Sequence, residues 1–164
     1  MAEPIPKRPD GIPERILRSA AEPSRSAPAT AKRALSLAIS PAASALAGAR
    51  DRVRAFLRGF DVPEQIVFDV VLSFDEACKN AIRFGGNDRE IDVTITVASP
   101  GDEISLVVRD HGVGFEPRQI DVSRTPDVLD PQGRGLFLMT CLMDDVRVVC
   151  DEGAIVTARK TVAR

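Results

Sequence analysis

The sequence predicts an α+β fold: a two-layer sandwich with helices on one face of a mixed, mainly antiparallel sheet. Two observations point to it. Stretches with strand-like alternation lie on both sides of two consecutive helical stretches. Turn-forming residues then punctuate the second half, so the order reads β, α, α, β, β, loop, α, β, β.

The first strand is predicted at Ala34–Ile39, where apolar residues alternate weakly, as suits a sheet edge. Ser40-Pro41 reads as a helix start, serine as N-cap and proline at the first helical position. The Ala-, Leu- and Arg-rich stretch Ala42–Arg58 follows, closed by Gly59. A second start at Asp61-Val62-Pro63-Glu64 precedes a long periodic run ending at Gly85-Gly86. In Ile91–Val97 the odd positions are apolar and the even ones polar, the pattern of a half-buried strand. Pro100-Gly101-Asp102 makes a turn, after which Ile104, Leu106 and Val108 share one strand face. A polar loop from about Phe115 to Gln132 leads to an apolar helix, Gly135–Met143. Its nearly all-round apolarity predicts burial on two sides. Two strands, Val146–Cys150 and Ala154–Val162, close the chain around a hairpin turn at Asp151-Glu152-Gly153.

Composition divides the chain in two. Residues 1–33 hold six of the twelve prolines and seven basic residues against four acidic, while all seven phenylalanines lie from Phe56 onward. A segment so poor in large apolar groups cannot offset its ordering entropy by burial. Residues 1–32 therefore read as a flexible arm and 33–164 as one domain. The remainder after residue 33 carries 15 basic residues against 20 acidic, which argues against direct nucleic-acid binding. No run of eighteen apolar residues and no signal-peptide core is present, so a cytoplasmic protein without a membrane span is expected. Three scattered cysteines (Cys78, Cys141, Cys150) read as small buried groups rather than disulfides or zinc ligands, and the single histidine, His111, as a turn residue.

Three motifs carry chemistry. On the second helix, Asp69, Ser73, Glu76, Asn80 and Arg83 fall in a polar stripe about 80° wide on an otherwise apolar cylinder. Glu76 and Asn80, one turn apart, can reach one ligand together; their oxygens suit a hydrated Mg²⁺ or a base beside one. The second motif, Arg109-Asp110-His111-Gly112-Val113-Gly114, ends a strand. Parity puts Asp110 on the core face with Ile104, Leu106 and Val108, where its carboxylate must find donors. An exocyclic amine such as that of adenine would satisfy it; so would amides of its own loop. The third motif, Gln132-Gly133-Arg134-Gly135-Leu136, opens a helix whose unpaired amides and positive dipole end suit phosphate, with Arg124 and Arg134 as further candidates. The long loop before it has the length of a lid.

In this order and spacing the motifs resemble the GHKL (Bergerat-fold) ATPase family. The stretches VPEQIVFDVVLSFDEACKNAIRFGG, VVRDHGVGFEP and GRGLFLMTCLMDDV resemble its anti-sigma-factor serine kinases, which work by partner switching. The resemblance spans roughly residues 34–162. It implies ATP and Mg²⁺ as cofactors, with Asn80 as the metal-coordinating residue and Glu76 as the catalytic base. It further implies Asp110 as the adenine-reading carboxylate, Gly112 and Gly114 as the turn at the lid's base, and Gly133, Gly135 and Leu136 as the helix start that meets the phosphates. The partners it implies are a sigma factor and a STAS-domain anti-anti-sigma protein phosphorylated on serine; a homodimer is left open. The sequence departs from the family at Phe84, where a histidine is common, and at Asp75, where a small polar residue is commoner. Asp75 could act on Glu76 by like-charge repulsion or point away. A non-catalytic nucleotide-binding module of the same fold is the alternative. An S-adenosylmethionine-dependent methyltransferase is disfavoured, because Glu116-Pro117 and a polar loop follow Asp110 where that fold needs a helix.

Overall fold

The computed structural model describes residues 32–85, 89–98, 103–112, 134–150 and 152–162. In chain order the elements are β1 (Lys32–Ile39), α1 (Ala43–Arg58), α2 (Glu64–Phe84), β2 (Ile91–Ala98), β3 (Glu103–Arg109), α3 (Arg134–Leu142), β4 (Asp145–Cys150) and β5 (Ala154–Thr161). The expected arm lies outside the described residues apart from Lys32, which belongs to β1. The turn at residues 100–102 and the loop at 115–132 lie outside them too.

The sheet has the order β1-β2-β3-β5-β4, with β1 at an edge as its weak alternation predicts. All four pairings are antiparallel, so the expected mixed character is absent among the described strands. Pleat parity assigns the buried face. Leu37 and Ile39, Ile91 to Val97 at odd positions, Ile104, Leu106 and Val108, and Val156 and Ala158 all point to the helices. From α1 the positions Leu46, Ala49, Val53 and Leu57 meet them at helical spacing. The central helix α2 adds Val67, Val70, Val71, Phe74, Ala77, Cys78 and Ala81.

Helix α1 begins two residues later than Ser40-Pro41 suggests. Ala42 is its N-cap and makes no side-chain capping bond. Ile39 is still buried in the sheet, so the chain must climb to the helix layer before it can wind. Gly59 and Gly85 close α1 and α2 as expected. Helix α3 buries Gly135 and Met139 but leaves Phe137 45% exposed and Cys141 exposed. Among the described residues it has one buried face, and the loop that could cover the other lies outside them. Cys141 and the half-buried Cys150 likewise depart from the expectation of buried cysteines; only Cys78 meets it, and burial, aided by nearby Asp75, pushes its thiol up to about 12.

Two polar ties fix α3 and β4 to the rest. Lys160 on β5 donates to the Leu142 carbonyl at the end of α3 and pairs with Asp69 of α2 at 3.3 Å. Asp144, just after α3, accepts the Thr161 amide at 2.7 Å. These bonds lay α3 alongside α2, with the end of α3 near Asp69.

Candidate functional site

The start of α3 lies further along α2, at Glu76 and Asn80. A methyl group placed on Gly135 would sit 2.8 Å from Glu76 Oε2 and 3.5–3.6 Å from both amide atoms of Asn80. Glycine is what allows the first turn of α3 to rest against these two side chains. Two of the three sequence motifs therefore meet, although more than fifty residues separate them. Glu76 is mostly buried, its side chain 21% exposed, and Oε1 accepts from Lys79 Nζ at 3.0 Å.

Asp75 turns away from this point. Its Oδ2 pairs with Lys79 at 2.6 Å, and its Oδ1 lies 2.8 Å from Arg50 Nε of α1. That second contact is close enough for ion pairing but misaligned for a hydrogen bond, so both atoms are buried without one. Of the two outcomes open for Asp75, the structure thus gives the one in which it points away, with Lys79 between it and Glu76. Asp75 first and Glu76 second hold the Lys79 ammonium above its usual range.

The rest of the polar stripe divides by neighbour. Asp69 is buried and engaged by Lys160 and by Gln65 at 3.0 Å. Ser73 is buried with no partner for its hydroxyl. Arg83 stacks its guanidinium over the Phe84 ring, 5.5 Å from its centroid, and Phe84 is 39% exposed.

Just past the end of α2 lies the second motif. Asp110 is 6% exposed, as parity requires. Its Oδ1 accepts the Gly112 amide at 3.0 Å and the Ala154 amide at 3.1 Å, while its own amide donates to the Ala154 carbonyl. Its loop therefore supplies one donor and the start of β5 a second. Both bonds fall on one oxygen. Three glycines crowd this carboxylate. A methyl on Gly112 would meet the Gly85 carbonyl oxygen at 2.2 Å, and one on Gly153 would meet the Asp110 carbonyl oxygen at 2.2 Å. Gly153 also has φ +125°, which side-chain-bearing residues rarely adopt. Gly85 lies against Asp110, its missing methyl 3.1 Å from Asp110 Cβ. Asn80 and Gly85 are five residues apart, about 7.5 Å along the helix axis, so the two clusters share the C-terminal end of α2. His111 lies just past the end of β3, its ring bonded to Asp92 at 2.7 Å.

Gly114, Gly133 and Arg124 lie outside the described residues. Arg134 is the first residue of α3 and exposed; Leu136 is half-buried against the core. Sequence reasoning missed Lys79, Gly153 and Ala154 as parts of the site. Gly153 was legible only as a hairpin turn, and Lys79 only as an exposed helical lysine at the right spacing from Asp75 and Glu76. A groove of about 200 Å³ lies elsewhere, between α1 and α2, lined by Arg50, Phe68, Leu72 and Asp75 among others.

No group of three or more His, Cys, Asp or Glu that could hold a metal exists among the described residues. Magnesium does not need one, since it commonly takes one or two protein oxygens plus substrate phosphates and water. The Glu76 and Asn80 oxygens, brought to one spot beside Gly135, are donors of the kind that demand calls for.

Residues 39–160 match the family described as Histidine kinase-like ATPase domain, and the chain belongs to it. Among the relatives it resembles are proteins named Serine-protein kinase RsbW. One, from Bacillus cereus, and one from Bacillus mycoides are each 28% identical over 103 residues, 58% of this chain and 64% of the relative. The chain thus spans somewhat under two thirds of the length of these relatives. Among solved structures it resembles that of the RsbU and RsbW domains of Rv1364c from Mycobacterium tuberculosis. The TM-score is 0.62 at 19% identity, covering 80% of this chain and 33% of that one, a likeness of fold. No helix among the described residues is long and apolar enough to cross a membrane.

Proposed function

We propose that the chain is an ATP-dependent protein serine kinase acting as an anti-sigma factor. In this reading it phosphorylates a STAS-type antagonist on serine and sequesters a sigma factor. The observation that carries the proposal is the first turn of α3 resting against Glu76 Oε2 and Asn80. The names of the relatives, serine-protein kinases, support the same reading.

Asp110 reads the adenine amine, with Oδ2 as the reading atom because both amide bonds go to Oδ1. Asn80 holds Mg²⁺ against the triphosphate, and the ion supplies charge neutralisation when bound. The opening amides of α3, with Gly133, Gly135 and Leu136, meet the phosphates, where helix-end dipoles favour anions. Arg134 contributes a cation at the same helix start. Glu76 takes the proton from the serine hydroxyl of the partner protein. It is sheltered enough to be held in one place yet reachable from solvent, its side chain being 21% exposed. Phosphoryl transfer asks mainly for positioning and charge stabilisation, so this small set suffices.

The test combines calorimetric titration of Mg·ATP with transfer of labelled phosphate to the cognate antagonist. Glu76→Gln should lose transfer by at least about a hundredfold with ATP still bound. Asn80→Ala and Asp110→Asn should both bind Mg·ATP more weakly. Unchanged turnover in Glu76→Gln would refute its role as base. A wild-type chain that binds nucleotide but transfers nothing would leave the non-catalytic module as the function.

A further inference from the structure

Glu76 is a long, rotatable side chain on a surface-reaching helix face, yet a proton acceptor must present one oxygen at one place. Nothing in the backbone of α2 fixes its three torsions. What fixes them is a chain of side chains leading away from the site. Lys79 Nζ lies 3.0 Å from Glu76 Oε1, on the side opposite the oxygen that faces Gly135. Lysine alone would be a poor anchor: its side chain is 53% exposed and pays rotamer entropy to stay put. Asp75 supplies the restraint, its Oδ2 2.6 Å from the same ammonium and its side chain only 10% exposed. Asp75 in turn lies against Arg50, which belongs to another helix, with Nε 2.8 Å from Oδ1. The network therefore ties Glu76 to α1 through two helical-spacing pairs and one tertiary contact. It also accounts for an aspartate beside the base, which by itself would only add repulsion.

Resting on the reading of Glu76 as the base, we propose that Lys79 is a positioning residue, anchored by Asp75 and Arg50, that turns Oε2 of Glu76 toward Gly135. Oε1 is committed to the ammonium, so the oxygen beside the start of α3 is the one left for the incoming hydroxyl. Among the described residues, Lys79 pairs with Glu76 directly and, through it, Asp75 on the same helix and Arg50 on α1 are linked to it. The cation of β5, Lys160, is engaged with Asp69 further along the helix.

The experiment uses the full chain carrying Lys79→Met, Lys79→Arg or Asp75→Asn, with two readouts. Crystal structures without nucleotide should show the Glu76 carboxylate leaving Gly135 in Lys79→Met and keeping its place in Lys79→Arg. A carboxylate that stays put in both Lys79→Met and Asp75→Asn overturns the proposal. In phosphoryl transfer from Mg·ATP to the antagonist, Lys79→Met should lower kcat about tenfold with the KM for ATP unchanged. Lys79→Arg should restore most of that loss. In a Glu76→Gln background Lys79→Met should cost nothing further, because its effect passes through the carboxylate. An additive loss there, or no rescue by arginine, overturns it as well. If the wild-type chain transfers no phosphate the kinase reading fails by itself, and the crystallographic comparison still decides the role of Lys79.

Discussion

The two carboxylates of the site are held by opposite means. Asp110 is gripped by backbone: two amides on one oxygen, and glycines at 85, 112 and 153 packed so closely that no side chain fits. Glu76 is gripped by side chains, through Lys79 and Asp75 to Arg50. A backbone socket has almost no freedom and presents one shape, which on the reading proposed for Asp110 suits a flat base. A side-chain tether can be altered one residue at a time, so its hold on Glu76 can be loosened and restored by single substitutions. Rigidity at one end and adjustability at the other follow from which atoms do the holding.

The sharpest way to break this contrast is to fill the socket. Gly153→Ala combines an unfavourable φ with a 2.2 Å overlap on the Asp110 carbonyl. It should cost about 3 kcal/mol or more, read as a lower denaturation midpoint, and Gly112→Ala should behave similarly. Normal stability in both variants would mean the socket yields, and the contrast would be lost. Next in size, Asp110→Asn should cost about 1–3 kcal/mol of folding stability, because it weakens bonds that two backbone amides make to a charged oxygen. Glu76→Gln, by comparison, should leave the urea midpoint within error.

A smaller effect concerns Cys78, behind the site on the buried side of α2. Burial raises its thiol to about 12 in the folded chain against 9.0 as the ordinary value. The folded state therefore favours the neutral thiol. That contribution is whole below pH about 9 and declines as pH rises toward 12, by at most about 1.4 kcal/mol per pH unit. Cys78→Ala should flatten the alkaline fall of the denaturation midpoint; an unchanged slope would mean the thiol contributes nothing to it. Smallest of all is Arg58→Ala. Arg58 pairs with Glu64 on the open surface between α1 and α2. The pairing raises the arginine and lowers the glutamate, yet solvent screens it. The melting temperature should stay where it is.

Much of the fold was legible because its signals are periodic. Ile91–Val97 declares its buried side by alternation, and the parity of Ile104, Leu106 and Val108 already placed Asp110 in the core, where it is found. The start of α1 was misplaced because a Ser-Pro pair is a local signal, whereas Ile39 still belongs to the sheet. How many sides of α3 are covered is not legible for a related reason: apolar residues on all sides reveal nothing about how many neighbours a helix will have. Lys79 was missed because a lysine on a helix is most often merely solvated.

What the sequence determined by itself is therefore everything that depends on near neighbours: strand faces, helix spans to within two residues, the pairing distance of Glu76 and Asn80, and the family. What the tertiary structure decided is which of these near-neighbour groups come together. Gly135 against Glu76, Gly153 against Asp110 and Arg50 against Asp75 are contacts across 25 to 59 positions of chain. Spacing along a chain sets angles and rises within one element, but only close packing between elements determines which atom lies 3 Å from another.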